Sequence, residues 1–324
     1  MEDVLDAAMH GDLELLNELI EDESDLELED EEENTALILA AEQGHTACLQ
    51  RLLDAKANIE ARNNNGYTAL SIAAGNGHCD CVRLLFNAGA NVEATTSNLG
   101  ETGLIVAALR GHAASLQLML EIKANVNATD HEGKTALYWA AARGSHPCVE
   151  VLIAANANID VRNSKDHTTA LVVAARCGHT RCVQLLVNAR AGLEVSGDNG
   201  LTPLLAAVLE GHVPCAQVLI GARADLEARD SHSRTALAWA AAKGHAECVR
   251  LLLDARATLE ARDKNADTPL LVAAEEGHVH CVQLLMDAKA NIHAENVVGQ
   301  GAFMLAGAKG HTACIQCLSR VPLN

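Results

Sequence analysis

Residues 235–262 read Thr-Ala-Leu-Ala-Trp-Ala-Ala-Ala-Lys-Gly-His-Ala-Glu-Cys-Val-Arg-Leu-Leu-Leu-Asp-Ala-Arg-Ala-Thr-Leu-Glu-Ala-Arg, and nearly the same register returns along the whole chain. Its leading threonine recurs at Thr35, Thr68, Thr102, Thr135, Thr169, Thr202, Thr235 and Thr268, in steps of 33 or 34 residues. A fixed period of this size marks a chain made by stacking one small unit. Such a stack encloses no core in which to build a catalytic pocket. Its function has to lie on a long surface.

The unit can be read residue by residue. Thr235 is expected to be a helix N-cap, its hydroxyl accepting from a free backbone N–H of the first turn. Pro203 and Pro269 follow their threonines directly, at the helical position where a missing donor costs nothing. A short helix then runs through an Ala-Ala pair to a stop glycine, at Gly44, Gly77, Gly111, Gly144, Gly178, Gly211, Gly244, Gly277 and Gly310. A second helix carries paired apolar positions, Cys48, Leu49, Leu52 and Leu53 in one unit and Cys248, Val249, Leu252 and Leu253 in another. That spacing lays an apolar stripe along one helix face. Neither helix can bury its stripe alone, so the stack is the folding entity.

With these residues in view, the chain resembles the ankyrin-repeat family. The family's Thr-Pro-Leu-His-x-Ala is kept here as Thr-Ala/Pro-Leu-x-x-Ala, followed by Gly-His, Leu-Leu and Ala-Asn-Ile-Glu (Ala57 to Glu60). The register reaches both ends. Ala7, Ala8, Gly11, Leu15 and Leu16 place a degenerate acidic capping repeat in residues 1–29. Eight full repeats fill 30–295, and an incomplete one fills 296–324. The resemblance implies an all-α solenoid of ten stacked repeats in one continuous domain. Each repeat would supply two antiparallel helices and a projecting β-hairpin, and the curved stack would bind other proteins. Two departures stand out. Ile38, Ser71, Tyr138, Val172 and Leu271 occupy the family's histidine position, and the glycine after the second helix is basic at Lys56, Lys123, Arg190, Arg223, Arg256 and Lys289. A non-glycine residue in the left-handed region costs roughly 1–2 kcal/mol. A cation at the negative helix end returns about 0.3–1 kcal/mol. Glu60, Glu227 and Glu260 alternate with these basic residues, and inter-repeat ion pairs are expected between them.

Composition narrows the function. The net charge is −19, and residues 1–50 alone hold 17 acids with no Lys or Arg. No basic footprint for nucleic acid exists. The acidic stretch Glu21–Glu33 suits a solubilising cap or a dock for a basic partner. Six aromatics (Tyr67, Phe86, Tyr138, Trp139, Trp239 and Phe303) are few for a globular enzyme of 324 residues. Trp139 and Trp239 are expected to fill the core, with a partly exposed hot spot as the alternative. One-residue insertions expand the hairpins at 95–101 and 162–168. The acidic start Met1-Glu2-Asp3 does not suit a signal peptide, and no apolar run reaches ~18 residues. A monomer inside the cell, cytoplasmic or nuclear and not inserted in membrane, is expected.

Eight of the 11 cysteines share one second-helix position: Cys48, Cys81, Cys148, Cys182, Cys215, Cys248, Cys281 and Cys314. Successive repeats lie ~8–10 Å apart and disulfides need Cα atoms within ~7 Å, so these thiols are expected as small buried hydrophobes. Gly-His-x-x-Cys occurs seven times, but zinc needs four ligands within about 2.3 Å of one ion, and the next pair is a repeat away. The pattern is a packing position. Cys314-x-x-Cys317 falls within a helix, away from the context of a redox motif. Cys177, at the end of a first helix, is the thiol expected to react. No phosphate loop, nucleophile elbow or HExxH occurs, and no cofactor is expected.

The resemblance implies that partners contact hairpin tips and first-helix ends. Carried onto this sequence, Arg110, Arg143 and Arg176 fall before the stop glycine in three consecutive repeats, and Lys243 holds that place further on. The adjoining hairpins add His131, Lys134, Lys165 and His167. One guanidinium per repeat suits an extended acidic or phosphorylated segment of a partner, because ~8–10 Å spans about three residues at ~3.3 Å each. The expected function is a non-catalytic scaffold or adaptor. The alternative is a substrate-recognition subunit of a larger enzyme assembly, such as a ubiquitin ligase. A further C-terminal box would be expected in that case, and the chain ends at Asn324.

Overall fold

A computed structural model of the chain describes residues 3–319, with twenty helices and no named strand among them. Residues 1–2 and 320–324, the extreme ends of the first and last expected repeats, lie outside the described residues. Contacts separate the chain into two compact units, Met1–Lys165 and Asp166–Asn324. Their boundary falls in the expanded hairpin at 162–168.

The first unit holds five helix pairs: α1 (Val4–His10) with α2 (Leu13–Glu21), α3 (Ala36–Gln43) with α4 (Thr46–Asp54), α5 (Ala69–Asn76) with α6 (Cys79–Asn87), α7 (Gly103–Arg110) with α8 (Ala113–Glu121), and α9 (Ala136–Arg143) with α10 (His146–Ala154). Within the unit each first helix packs on the next first helix, and each second helix on the next second helix. The second unit repeats the scheme with α11 (Ala170–Arg176) and α12 (Thr180–Asn188), α13 (Pro203–Leu209) and α14 (Val213–Gly221), α15 (Ala236–Lys243) and α16 (Ala246–Asp254), α17 (Pro269–Glu275) and α18 (Val279–Asp287), and α19 (Ala302–Ala308) and α20 (Thr312–Leu318).

Burial explains the two helix types. A first helix of seven or eight residues is apolar nearly all round: in α3 every residue from Ala36 to Ala41 is buried. A helix of that kind belongs inside a layer. The second helices bury one stripe, as Cys48, Leu49 and Leu52 do in α4, while Leu53 is only half-buried. The threonines take extended N-cap geometry throughout. Their hydroxyls accept from the third helical N–H at 3.2 Å at Thr135 and 3.3 Å at Thr68, and at 3.4 Å at Thr102, Thr169, Thr202 and Thr268. Thr235 does not make this bond, nor does Thr35, and both hydroxyls are buried without a partner among the described residues. The caps that do form are long for a hydrogen bond, so a small shift removes them.

The hairpins carry no named strands among the described residues. They are turns with isolated bridges, such as Thr129↔Thr135 and Glu295↔Gly301, because their pairing runs sideways. In the first unit His131 N donates to Leu99 O at 2.8 Å, and Ser164 N to Glu132 O at 2.8 Å. In the second, Lys264 N donates to His232 O at 3.1 Å, and Val297 N to Asn265 O at 2.9 Å. In most tips an Asp or Asn five residues before the threonine position organises the turn, with Gly197 in that place before Thr202 and Thr96 and Asn163 one residue further back in the expanded hairpins. Asp230 Oδ1 accepts from both His232 N and Arg234 N at 2.8 Å.

Among the described residues, the expected ion pairs between the basic residues and the glutamates do not form. Lys56, Lys123, Arg190, Arg223, Arg256 and Lys289 all take φ between 66° and 72° and are exposed. Glu60 instead accepts from Asn91 N at 2.7 Å, Glu227 from Thr258 N at 2.8 Å and Glu260 from Asn291 N at 2.7 Å. Glu27, in the acidic stretch, does the same for Asn58 N at 2.8 Å. Each carboxylate satisfies a backbone donor of the following repeat, a stronger use of the charge than a solvated ion pair.

Repeat stacks open from their ends, because each repeat couples mainly to its neighbours. The last repeat has Gly301 in place of the threonine cap, with no side-chain cap bond, and a Cβ on Gly307 would meet nothing within 4 Å. Within the second unit, amide hydrogen exchange is therefore expected to be fastest from 296 to 319. Equal protection from Thr169 through Leu318 would refute this.

Candidate partner-binding surface

The surface expected to bind comprises the C-terminal ends of the first helices and the adjoining tips. The candidates in the first unit separate into engaged and free groups. Arg110 is exposed and folds back on the preceding repeat, where its Nη1 donates to Asn76 Oδ1 and its guanidinium lies 5.9 Å from the Tyr67 ring centre. Asn76 in turn donates to Glu42 O at 2.8 Å. Lys134 pairs with Glu132 and lies 4.6 Å from the Trp139 ring centre and 5.5 Å from that of Tyr138. Lys165 reaches the other oxygen of Glu132 at 3.2 Å. These two ammonium groups hold Glu132 below the usual carboxylate range. The His131 ring covers Gly100, where an added Cβ would fall 2.3 Å from His131 Cδ2. Arg143 is exposed, with no hydrogen bond or ion pair among the described residues.

In the second unit, His167 Nδ1 lies 2.6 Å from Asp198 Oδ1. The Arg176 side chain is half-buried and makes no ion pair among the described residues, while its carbonyl accepts from His212 Nε2 at 3.0 Å. Lys243 is exposed beside Trp239, 5.9 Å from the ring centre, and borders a 310 Å³ cleft lined by Leu209, Glu210 and His245. Charges not already matched by a carboxylate are therefore found at Arg143, Arg176 and Lys243, with Arg110 bound to a neutral amide.

Both tryptophans are only half-buried, which matches the partly exposed alternative and not core filling. Their environments repeat 100 residues apart. Trp139 Nε1 donates to Asp130 Oδ2 at 2.9 Å, and Trp239 Nε1 to Asp230 Oδ2 at 2.9 Å. Arg234 stands 4.9 Å from the Trp239 ring centre, as Lys134 does over Trp139. Each indole is oriented by a buried carboxylate and faced by a cation. That arrangement gives a rigid aromatic edge beside positive charge.

Sequence reasoning missed Glu101, which sits immediately before Thr102. It is buried, and its Oε1 has no partner among the described residues. Burial, then the negative Asp130, pushes its carboxyl above the usual range. Only its place one residue ahead of the threonine, where the equivalents are Tyr67 and Lys134, could have flagged it.

The histidines of Gly-His serve the stack. His45 Nε2 donates to Met9 O at 3.1 Å, His78 to Glu42 O at 2.9 Å, His245 to Leu209 O at 3.1 Å and His278 to Ala242 O at 3.0 Å. No group of three or more His, Cys, Asp or Glu able to hold a metal occurs among the described residues. The eight second-helix thiols are buried and in no disulfide among the described residues, Cys317 is buried with them, and Cys177 is exposed. Among the described residues no helix is long and apolar enough to cross a membrane.

A family model described as ankyrin repeats (3 copies) matches residues 4–96, 93–163, 155–230, 171–263 and 224–296. Comparison with curated proteins gave no match.

Proposed function

The chain belongs to the ankyrin-repeat family, whose repeats are protein-interaction modules, and from that premise we propose a non-catalytic scaffold or adaptor that holds an acidic or phosphorylated segment of a partner protein. The observation that carries this reading is the unmatched positive charge at first-helix ends, at Arg143, Arg176 and Lys243. In a chain of net charge −19, cations without carboxylate partners, exposed at Arg143 and Lys243 and half-buried at Arg176, are the groups available to meet an outside anion. The half-buried indoles beside Lys134 and Arg234 supply apolar area at the same level of each repeat. Arginine suits the task through bidentate bonds to carboxylate or phosphate, so lysine substitutes poorly. The 11 cysteines, in no disulfide among the described residues, suit a reducing compartment inside the cell.

An array of acidic and phosphorylated peptides, probed with the purified chain at low salt, tests this directly. Peptides with an acid at every third position are expected to bind best. Changing Arg110 and Arg143 to alanine in the first unit, or Arg176 and Lys243 in the second, is expected to weaken binding about tenfold or more, at ~1.4 kcal/mol per decade, and to flatten its salt dependence. The circular dichroism spectrum stays the same. Equal binding by the parent and both double variants defeats the proposal and turns attention to the acidic stretch Glu21–Glu33 and a basic partner.

A further inference from the structure

Two first helices carry a side chain that the others do not. Trp139 and Trp239 stand at the fourth position of α9 and α15. The same position holds Leu39, Ile72, Val106, Val173, Ala206 and Val272 in α3, α5, α7, α11, α13 and α17, and all six are buried. The two indoles are half-buried, and their surroundings change with them. From α3 onward, only these two first helices follow a basic residue placed directly before the N-cap position, Lys134 and Arg234. Both also carry a basic residue four places after the tryptophan, Arg143 and Lys243. The first cation of each set is already matched: Lys134 pairs with Glu132, and Arg234 Nε lies 3.2 Å from Asp263 Oδ2. The second is exposed and in no ion pair among the described residues.

Neither packing nor turn formation calls for this combination. Where the stack needs filling at that position, it uses Val, Leu, Ile or Ala. The tip carboxylates work without an indole too. Asp30 Oδ1 accepts from Glu32 N and Asn34 N at 2.8 Å in the repeat of Leu39, and Asp263 Oδ1 from Asn265 N at 2.8 Å in that of Val272. What each tryptophan gains is a fixed pose. Its N–H donates to buried Asp130 or Asp230 at 2.9 Å, and the matched cation stands 4.6 or 4.9 Å from the ring centre. An aromatic side chain held in one orientation loses little freedom on meeting another surface. Tryptophan and arginine are enriched among the residues that carry binding energy.

The free cation one helical turn beyond the indole sets the chemistry of the occupant. Residues four apart on a helix have Cβ atoms about 5–6 Å apart. Residues two apart in an extended chain share one side and lie about 6–7 Å apart. A ring seated on the indole therefore brings an acid two positions along to the cation. An aromatic ring suits the place better than an aliphatic one, because it meets indole offset or edge-on and offers its own face to the nearby cation. We infer that α9 and α15 each hold one aromatic-x-acid element of a partner's extended segment, so that the chain has two independent subsites, one in each unit. This rests on the proposed recognition of an acidic segment and adds the residue that must accompany the acid. The subsites differ in strength. Arg143 can take a carboxylate through two bonds, whereas Lys243 cannot and shares its cleft with Glu210.

Calorimetric titration of the full chain with short peptides that differ only in the element, Phe-x-Glu, Ala-x-Glu and Phe-x-Lys, tests this. Intrinsic fluorescence gives a second readout, because Trp139 and Trp239 are the only tryptophans. Phe-x-Glu is expected to bind at two peptides per chain, and the other two peptides about tenfold or more weaker. Trp139→Val and Trp239→Val install the residue that α11 and α17 already accept there, so both variants fold. Each should bind one peptide and shift the emission of its remaining tryptophan, with the tighter site surviving in Trp239→Val. Equal binding of Ala-x-Glu and Phe-x-Glu overturns the inference and leaves the acidic-segment reading standing. A stoichiometry of two that persists in both valine variants does the same. Failure of every acidic peptide to bind takes the acidic-segment reading down with it.

Discussion

Valine in place of Gly244 is expected to destabilise the second unit by about 3 kcal/mol or more, among the larger costs for one substitution. Two effects add. Gly244 ends α15 at φ 74°, where an L side chain strains the backbone by roughly 1–2 kcal/mol. A Cβ there would also lie 2.5 Å from His278 Nδ1 and 2.8 Å from Cε1, so the ring must swing away. Moving the ring breaks the His278–Ala242 bond across the repeat boundary, worth about 1 kcal/mol. A double-mutant cycle separates these effects by urea denaturation. With His278→Ala in place the steric part vanishes, and the coupling between the two sites should be about 1–2 kcal/mol. Gly310→Val is the natural contrast. It has a similar φ of 76° but no ring within 4 Å, so only the backbone strain should register. Additive losses in the cycle, or equal losses at Gly244 and Gly310, would show that the glycine is not a socket for the histidine.

The same pair shows what could be read from sequence. Gly-His marked a helix end and a packing position, because a period of 33 residues leaves few other uses for a histidine beside a stop glycine. That the ring would settle on the glycine of the preceding repeat was not legible, since one unit does not reveal its registration against the next. The glutamate ladder failed for a related reason. Inter-repeat ion pairs were expected between the basic residues and the glutamates, yet Lys56 is in the left-handed region, and the next repeat's Asn91 N–H takes the Glu60 carboxylate. The apolar layers were legible almost completely, because Ala-Ala and Cys/Leu stripes have only one place to go. The candidate surface was half legible. Position picked out the cations, but neutralisation depends on neighbours. Glu132 takes both Lys134 and Lys165, and Asp198 takes His167. Arg143 and Lys243 keep their charge available.

In a native thiol-labelling assay near neutral pH, Cys177 is expected to react about a thousandfold or more faster than Cys248 or Cys281. Access sets most of the difference. Cys177 is exposed, whereas Cys248 and Cys281 are fully buried and react only when their helices open, at a free energy approaching that of the whole unit. Ionisation adds to it, since the thiolate is the nucleophile. Burial, then Glu247, pushes the Cys248 thiol from 9.0 to about 11, and burial, then the flanking Cys248 and Cys314, does the same to Cys281. The fast phase should amount to one thiol per chain and disappear in Cys177→Ser, with half-buried Cys79 following at an intermediate rate. The raised values also fix the sign of an alkaline effect. A thiol that ionises later in the native state stabilises the fold fully below pH 9, and that contribution is lost as pH rises from 9.0 to about 11. The parent's melting temperature should therefore fall more steeply across that window than that of a Cys248→Ala, Cys281→Ala variant, which keeps the same lysines and tyrosines. Parallel slopes would mean that the two thiols remain neutral in neither state alone, and several fast-reacting thiols would mean that the second-helix cysteines are not core atoms.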